Sequence, residues 1–200
     1  MTTLILGLIL FLGIHSVRIV ADGWRSRFIA ARGPLPWKGL YTVIAIAGFV
    51  LICVGFGQAR QQPVVLWSPP RWTHDLAAVL TLLAFMLVTA AYVPGNGIKT
   101  RVKDPMVLGV KCWAAGHLLA NGTLADVVLF GSFLVWSVLD FRAVRQRRRA
   151  GTEPAIAPAK RGRSAIAVVV GVLAWMLFAF HLHQPLIGVA PFPGFHGFHH

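Results

Sequence analysis

Trp113, His117 and Asn121 recur every four residues within residues 104–140, DPMVLGVKCWAAGHLLANGTLADVVLFGSFLVWSVLD. That spacing puts an indole, an imidazole and a carboxamide on one helix face. The surrounding run is apolar, and hydrocarbon offers such groups no partner, so a polar stripe there marks a candidate site. His15 lies in another apolar run, with Phe11 and Ile19 on its face at the same spacing. Two histidines on different helices at similar depth can hold a haem iron from opposite faces, their rings oriented by neighbouring hydrogen bonds.

Depth follows from the nearest basic residues, which snorkel to the interface. Arg18 is three residues from His15, and Lys111 is six from His117. At about 1.5 Å per helical residue, the imidazoles lie roughly 4 and 9 Å deeper than those anchors, within about 5 Å of a common level. The alternative stands beside this: an intramembrane histidine is often satisfied by a hydroxyl or carbonyl of a neighbouring helix. Likewise, Trp113 can be packing, Gly109 and Gly116 can permit close helix approach, and Asn121 can simply terminate a helix.

The elements that must position these side chains are membrane spans. The 200 residues are 56% hydrophobic and 12% charged, with a mean hydropathy of +0.69. This composition excludes an ordinary soluble domain. The expected fold is an all-α, polytopic membrane bundle of about six transmembrane helices in a single membrane domain. Its spans fall at about residues 4–20, 39–57, 75–93, 105–120, 124–141 and 164–183, with a basic cytoplasmic linker at 142–163.

Punctuation supports these limits. Residues 22–37 carry Gly23, Gly33, Pro34 and Pro36 among arginines and read as a basic connecting loop. Thr73 or Asp75 should cap the third span, and Pro105 suits the first turn of the fourth. Asn121 and Gly122 tolerate the left-handed conformation that ends helices, and Thr123 with Asp126 forms a capping box for the fifth. Trp67 and Trp72 belong at an interface. The apolar start at Leu4, with no basic region or cleavage site before it, is expected to be a retained span and not a signal peptide.

The net charge of +13 does not point to nucleic acid, because the basic residues lie in short segments between apolar runs. Sixteen of the nineteen Lys and Arg residues fall in alternate loops, at 18–38, 99–103 and 142–163. The positive-inside rule then places those loops in the cytoplasm and both termini in the periplasm of a bacterial inner membrane. Membrane lipid is the expected neighbour, including anionic lipid against Arg147, Arg148 and Arg149.

Other residues carry weaker signals. Cys53 and Cys112 have no ligand spacing and read as small buried hydrophobes. His183 could reach a polar site near the outer surface, with His181 interfacial. His196, His199 and His200 could bind stray transition metals. Asp104 reads as a helix-start acid. No nucleophile elbow or ordered triad supports hydrolysis.

Three segments together carry a resemblance: LGIHS at 12–16, DPMVLGVKCWAAGHLLANGTLADVVLFGSFLVW at 104–136, and HLHQPLIGVAPFP at 181–193. The chain resembles the NnrU family of bacterial membrane proteins, to which 15-cis-zeta-carotene isomerase is related. The W-x-x-x-H-L-L-x-N-G core at 113–122 is its most specific part. The family name comes from a link with nitrite and nitric oxide reductase expression in denitrifiers. The related isomerase carries haem b, with histidines in its matching segments implicated as ligands. The resemblance therefore implies haem b held by His15 and His117, with Trp113 and Asn121 lining the pocket. Many relatives have His-Pro where this chain has Asp104 and Pro105, so any role of that histidine is absent here. The Asp-Pro form also blurs a fainter likeness to membrane methyltransferases with an Arg-His-Pro motif.

Three functions follow as expectations. The first is a haem-binding sensor or maturation factor in nitrite and nitric oxide metabolism, with denitrification membrane proteins as partners. The second is a haem-dependent cis-trans isomerase of a carotenoid or other polyene. The third is a cofactor-free structural partner of a membrane complex.

Overall fold

A backbone in hydrocarbon must satisfy its own amides and carbonyls, which for apolar runs of this length leaves the helix. The computed structural model describes residues 1–192, and these are helical almost throughout. In chain order the helices are α1 (Thr2–Val20), α2 (Asp22–Arg32), α3 (Pro34–Gln61), α4 (Trp72–Tyr92), α5 (Gly97–Val102), α6 (Pro105–Ala120), α7 (Leu124–Arg149) and α8 (Arg163–Leu177). A π-helical turn at Phe178–Leu182 continues α8 into α9 (His183–Ile187). The protein is a helical, multi-pass membrane protein: α1, α3, α4, α7 and the continuous Arg163–Ile187 segment are each long and apolar enough to cross. The sixth apolar helix, α6, has 16 residues. At about 1.5 Å per residue it is somewhat shorter than a bilayer core of about 30 Å.

Several expected boundaries shift. The loop expected at residues 22–37 is instead α2 followed by the first turn of α3; Pro34 starts α3 because a missing amide costs nothing there. Gly33, at φ 83°, makes the break, and its amide donates to Ile29 O. The fifth span does not end at Phe141, because α7 runs on to Arg149 and takes the first eight residues of the expected linker. Arg, Ala and Gln are good helix formers, and basic side chains in the last turn oppose the negative end of the helix dipole. Thr73 does not cap α4: its hydroxyl donates to Pro70 O at 2.7 Å, and the helix starts at Trp72.

The chain forms two compact units, one of residues 1–69 and 121–153, the other of residues 70–120 and from 154 onward. In the first, α1 and α3 run antiparallel in a single register, with their backbones in near contact. A Cβ on Gly7 would lie 2.5 Å from Ile52 N, and one on Gly48 would lie 2.6 Å from Phe11 N. One on Gly55 would overlap the backbone of Leu4. Small residues of this kind let membrane helices gain dispersion contacts, since lipid supplies no hydrophobic drive between them. Helix α7 packs on this pair through Phe133 against Phe11 and Phe130 against Phe56.

In the second unit, α6 and α8 both pack on α4. Gly109 and Gly116 of α6, seven residues apart, face Ala84 and Ala77 of α4, also seven apart. The reading of these two glycines as sites of close approach therefore holds. Gly171 of α8 meets the backbone of Met86, and Trp175 Nε1 donates to Thr81 Oγ1 at 3.0 Å. Asn96, fully buried, ties the end of α4 to the start of α5. Its amide donates to Ala90 O and Val93 O, and its Oδ1 accepts from Lys99 N.

Candidate functional site

His15 sits in the first unit near the C-terminal end of α1. Its Nδ1 lies 2.6 Å from the carbonyl oxygen of Phe11, one turn earlier. A carbonyl can only accept, so Nδ1 carries the proton and Nε2 carries the lone pair. The ring is held on several sides. Phe11 stacks on it at 4.2 Å between centroids, Tyr41 of α3 lies at 5.1 Å, and Trp136 of α7 meets it edge-on at 6.0 Å. The indole Nε1 of Trp136 is buried without a hydrogen-bond partner. A donor so placed in a native protein calls for an explanation such as a bound group.

Beside this cluster, α1 and α7 leave an open groove lined by Leu12, Ser16, Gly131, Ser132, Val135 and Trp136. Its two hydroxyls are engaged within their own helices: Ser16 donates to Leu12 O and Ser132 to Val128 O, each at 2.6 Å. The groove wall is therefore largely apolar despite its serines.

His117 sits in the second unit on α6 and repeats the local design. Its Nδ1 lies 2.8 Å from Trp113 O, and the Trp113 ring is 5.2 Å from the imidazole. The spacing of Trp113 and His117 thus does bring indole and imidazole together, as expected from the helix period. Asn121 follows the last helical residue and belongs to the other unit.

At the end of α6, neither Asn121 nor Gly122 is left-handed, contrary to the expectation from their residue types. Gly122 serves close approach instead. Its carbonyl accepts from Leu66 N and Trp67 N, and a Cβ there would run into the Trp67 carbonyl. The capping box does form: Thr123 Oγ1 accepts from Asp126 N, while Asp126 Oδ2 accepts from Thr123 N at 3.1 Å.

Of the remaining candidates, His183 is part-buried at the start of α9, its Nδ1 2.7 Å from Val189 O and its ring edge-on to Phe178. Cys53 is exposed and not buried as expected; an outward position on a membrane helix is itself apolar. His196, His199 and His200 lie outside the described residues. Among the described residues, no three His, Cys, Asp or Glu side chains cluster at metal-binding distance.

The family model described as NnrU protein matches residues 3–191, nearly the whole chain. The chain belongs to the NnrU family. No curated protein and no solved structure matches it. In this NnrU chain both candidate histidines are part of an aromatic-x-x-x-His turn, Phe11 to His15 and Trp113 to His117. Sequence reading missed Tyr41 and Trp136, which come to His15 from α3 and α7. Their signal was faint: a hydroxyl and an indole N–H, each inside an apolar run.

Proposed function

We propose that this NnrU-family protein binds haem b through Nε2 of His15 and His117, and acts in nitrite and nitric oxide metabolism as a sensor or a maturation factor. The observation that carries the reading is the shared anchoring of the two rings. In each, Nδ1–H is given to the carbonyl four residues earlier, which fixes the tautomer whose Nε2 can ligate iron. A haem ligand is normally held in this way, by a hydrogen bond from its other nitrogen.

The donor chemistry also suits the group. Two neutral imidazoles satisfy haem iron without adding charge to a membrane site, and Trp136 supplies a buried N–H beside His15. Trp113 and Asn121 are assigned to the lining on the His117 side. Haem, when bound, would supply one-electron chemistry, and nitric oxide would bind its iron only in place of one of the two imidazoles. The protein's own part is to fix both rings and to keep the site within hydrocarbon. The basic loops at 18–38, 99–103 and 142–163 support placing both termini in the periplasm and the linker in the cytoplasm of a bacterial inner membrane.

The test is the absorption spectrum of the detergent-purified full chain after expression with ample haem. A Soret band is expected, lost in His15→Ala and in His117→Ala and retained in His183→Ala. A chain that carries no haem, or keeps an unchanged spectrum in His117→Ala, overturns the reading. A band that moves on addition of nitric oxide favours the sensor over the maturation factor.

A further inference from the structure

The helix α2 crosses nothing. It has 11 residues, none of them buried, and starts just after α1 ends, where Ala21 at φ −140° turns the chain. Helical spacing places Trp24, Phe28 and Ala31 on one face, with Arg27 along one margin and Arg25 and Arg32 along the other. Trp24 and Phe28 rest on the buried Trp37 of α3, at 5.8 and 5.9 Å between ring centroids. Trp24 nonetheless remains 47% exposed. A helix with an aromatic face edged by arginines on both sides suits the plane of a membrane interface, rings inward and guanidinium groups at headgroup level.

The charges around it are unevenly matched. Asp22 is the one acid among residues 18–38, and it is engaged by Arg25 at 3.5 Å, with Arg18 at 3.9 Å. Arg27, Arg32 and Lys38 are exposed, and no carboxylate among the described residues lies within ion-pair distance of them. Arg32 stacks over Phe28 at 5.3 Å, which holds its guanidinium beside the aromatic face.

We infer that α2, with Lys38, is a binding shelf for anionic phospholipid headgroups. Charge complementarity selects the lipid: the three cations need negative charge at headgroup level, and zwitterionic lipid offers none in net. Trp24 and Phe28 supply the apolar contact that keeps the helix at that level. This inference is independent of haem binding.

The test uses the full chain in phosphatidylcholine nanodiscs containing a fixed fraction of brominated phosphatidylglycerol or, in parallel, brominated phosphatidylcholine. The difference between the wild type and Trp24→Phe isolates the fluorescence of Trp24 from the other tryptophans. That component should be quenched about twofold or more strongly by the brominated anionic lipid. The preference should vanish in Arg27→Gln/Arg32→Gln/Lys38→Gln. It should also fall in the wild type at high salt, a readout that needs no variant. Equal quenching by the two lipids, or a preference that survives both the triple variant and salt, overturns the inference.

Discussion

The carbonyl oxygen of Phe11 accepts a hydrogen bond from His15 Nδ1 at 2.6 Å, while the Phe11 ring stacks on the same imidazole at 4.2 Å. One residue therefore fixes both the tautomer of its neighbour and the plane of its ring. The two contributions separate by mutation. Phe11→Leu keeps the backbone carbonyl but loses the stack together with the ring contacts to Phe49 and Phe133, so a stability loss of about 1–3 kcal/mol is expected, with the Soret band retained. His15→Ala should abolish the band. Thermal unfolding in detergent and the absorption spectrum measure the two effects.

The α1–α3 contact has no room for a methyl group at Gly7, Gly48 or Gly55. Gly55→Ala should push the helices apart and lower stability by about 1–3 kcal/mol or more, because the opposing atoms are backbone and cannot rotate away. Gly13→Ala and Gly57→Ala are the controls: a Cβ at either position meets nothing within 4 Å. Both should unfold at or above the wild-type midpoint, since alanine also favours the helix.

Glu153 closes the end of the first unit at which Arg18 and Arg147 lie. Its carboxylate lies 3.1 Å from Arg18 and 2.6 Å from Arg147, and Arg147 also donates to Arg18 O. The Glu153 side chain is 9% exposed and that of Arg147 14%, so this pairing is better shielded than an ordinary surface bridge. Glu153→Gln should cost about 1–3 kcal/mol, the upper end held down by the half-exposed Arg18. The sensitive readout is limited trypsin digestion, which should cut faster after Arg147 as the end of α7 loosens.

Asn96, fully buried, offers two donors to Ala90 O and Val93 O and an acceptor to Lys99 N. Asn96→Asp should be worse than Asn96→Ala. The carboxylate would set an oxygen against two carbonyl oxygens, whereas alanine only leaves them unpaired, at about 1–3 kcal/mol for each buried group. A reversed order of unfolding midpoints would contradict this account of the turn.

Much of the architecture could be read residue by residue. Apolar runs of about a bilayer core's length satisfy their backbone groups as helices, so the five long spans were legible, as were Pro105 at the start of the shorter α6 and the Thr123–Asp126 cap. These are local effects, set by residues within a few positions of one another. Helix ends outside the membrane were less legible, because hydropathy stops reporting where hydrocarbon ends. The same arginines that closed the fifth span by composition extend α7 to Arg149.

The candidate site divides along the same line. The four-residue spacing of Phe11 with His15 and of Trp113 with His117 already determines which carbonyl each imidazole meets, because a helix turn is the same wherever it is placed. Only the tertiary structure brings Tyr41 and Trp136 to His15 and seats Trp67 on Gly122. Only there, too, does Glu153 join Arg18 to Arg147. Apart from Glu153 with the nearby Arg147, those contacts join residues 26 to 135 positions apart. No periodicity encodes them; they depend on which helices find backbone-to-backbone contact at their glycines.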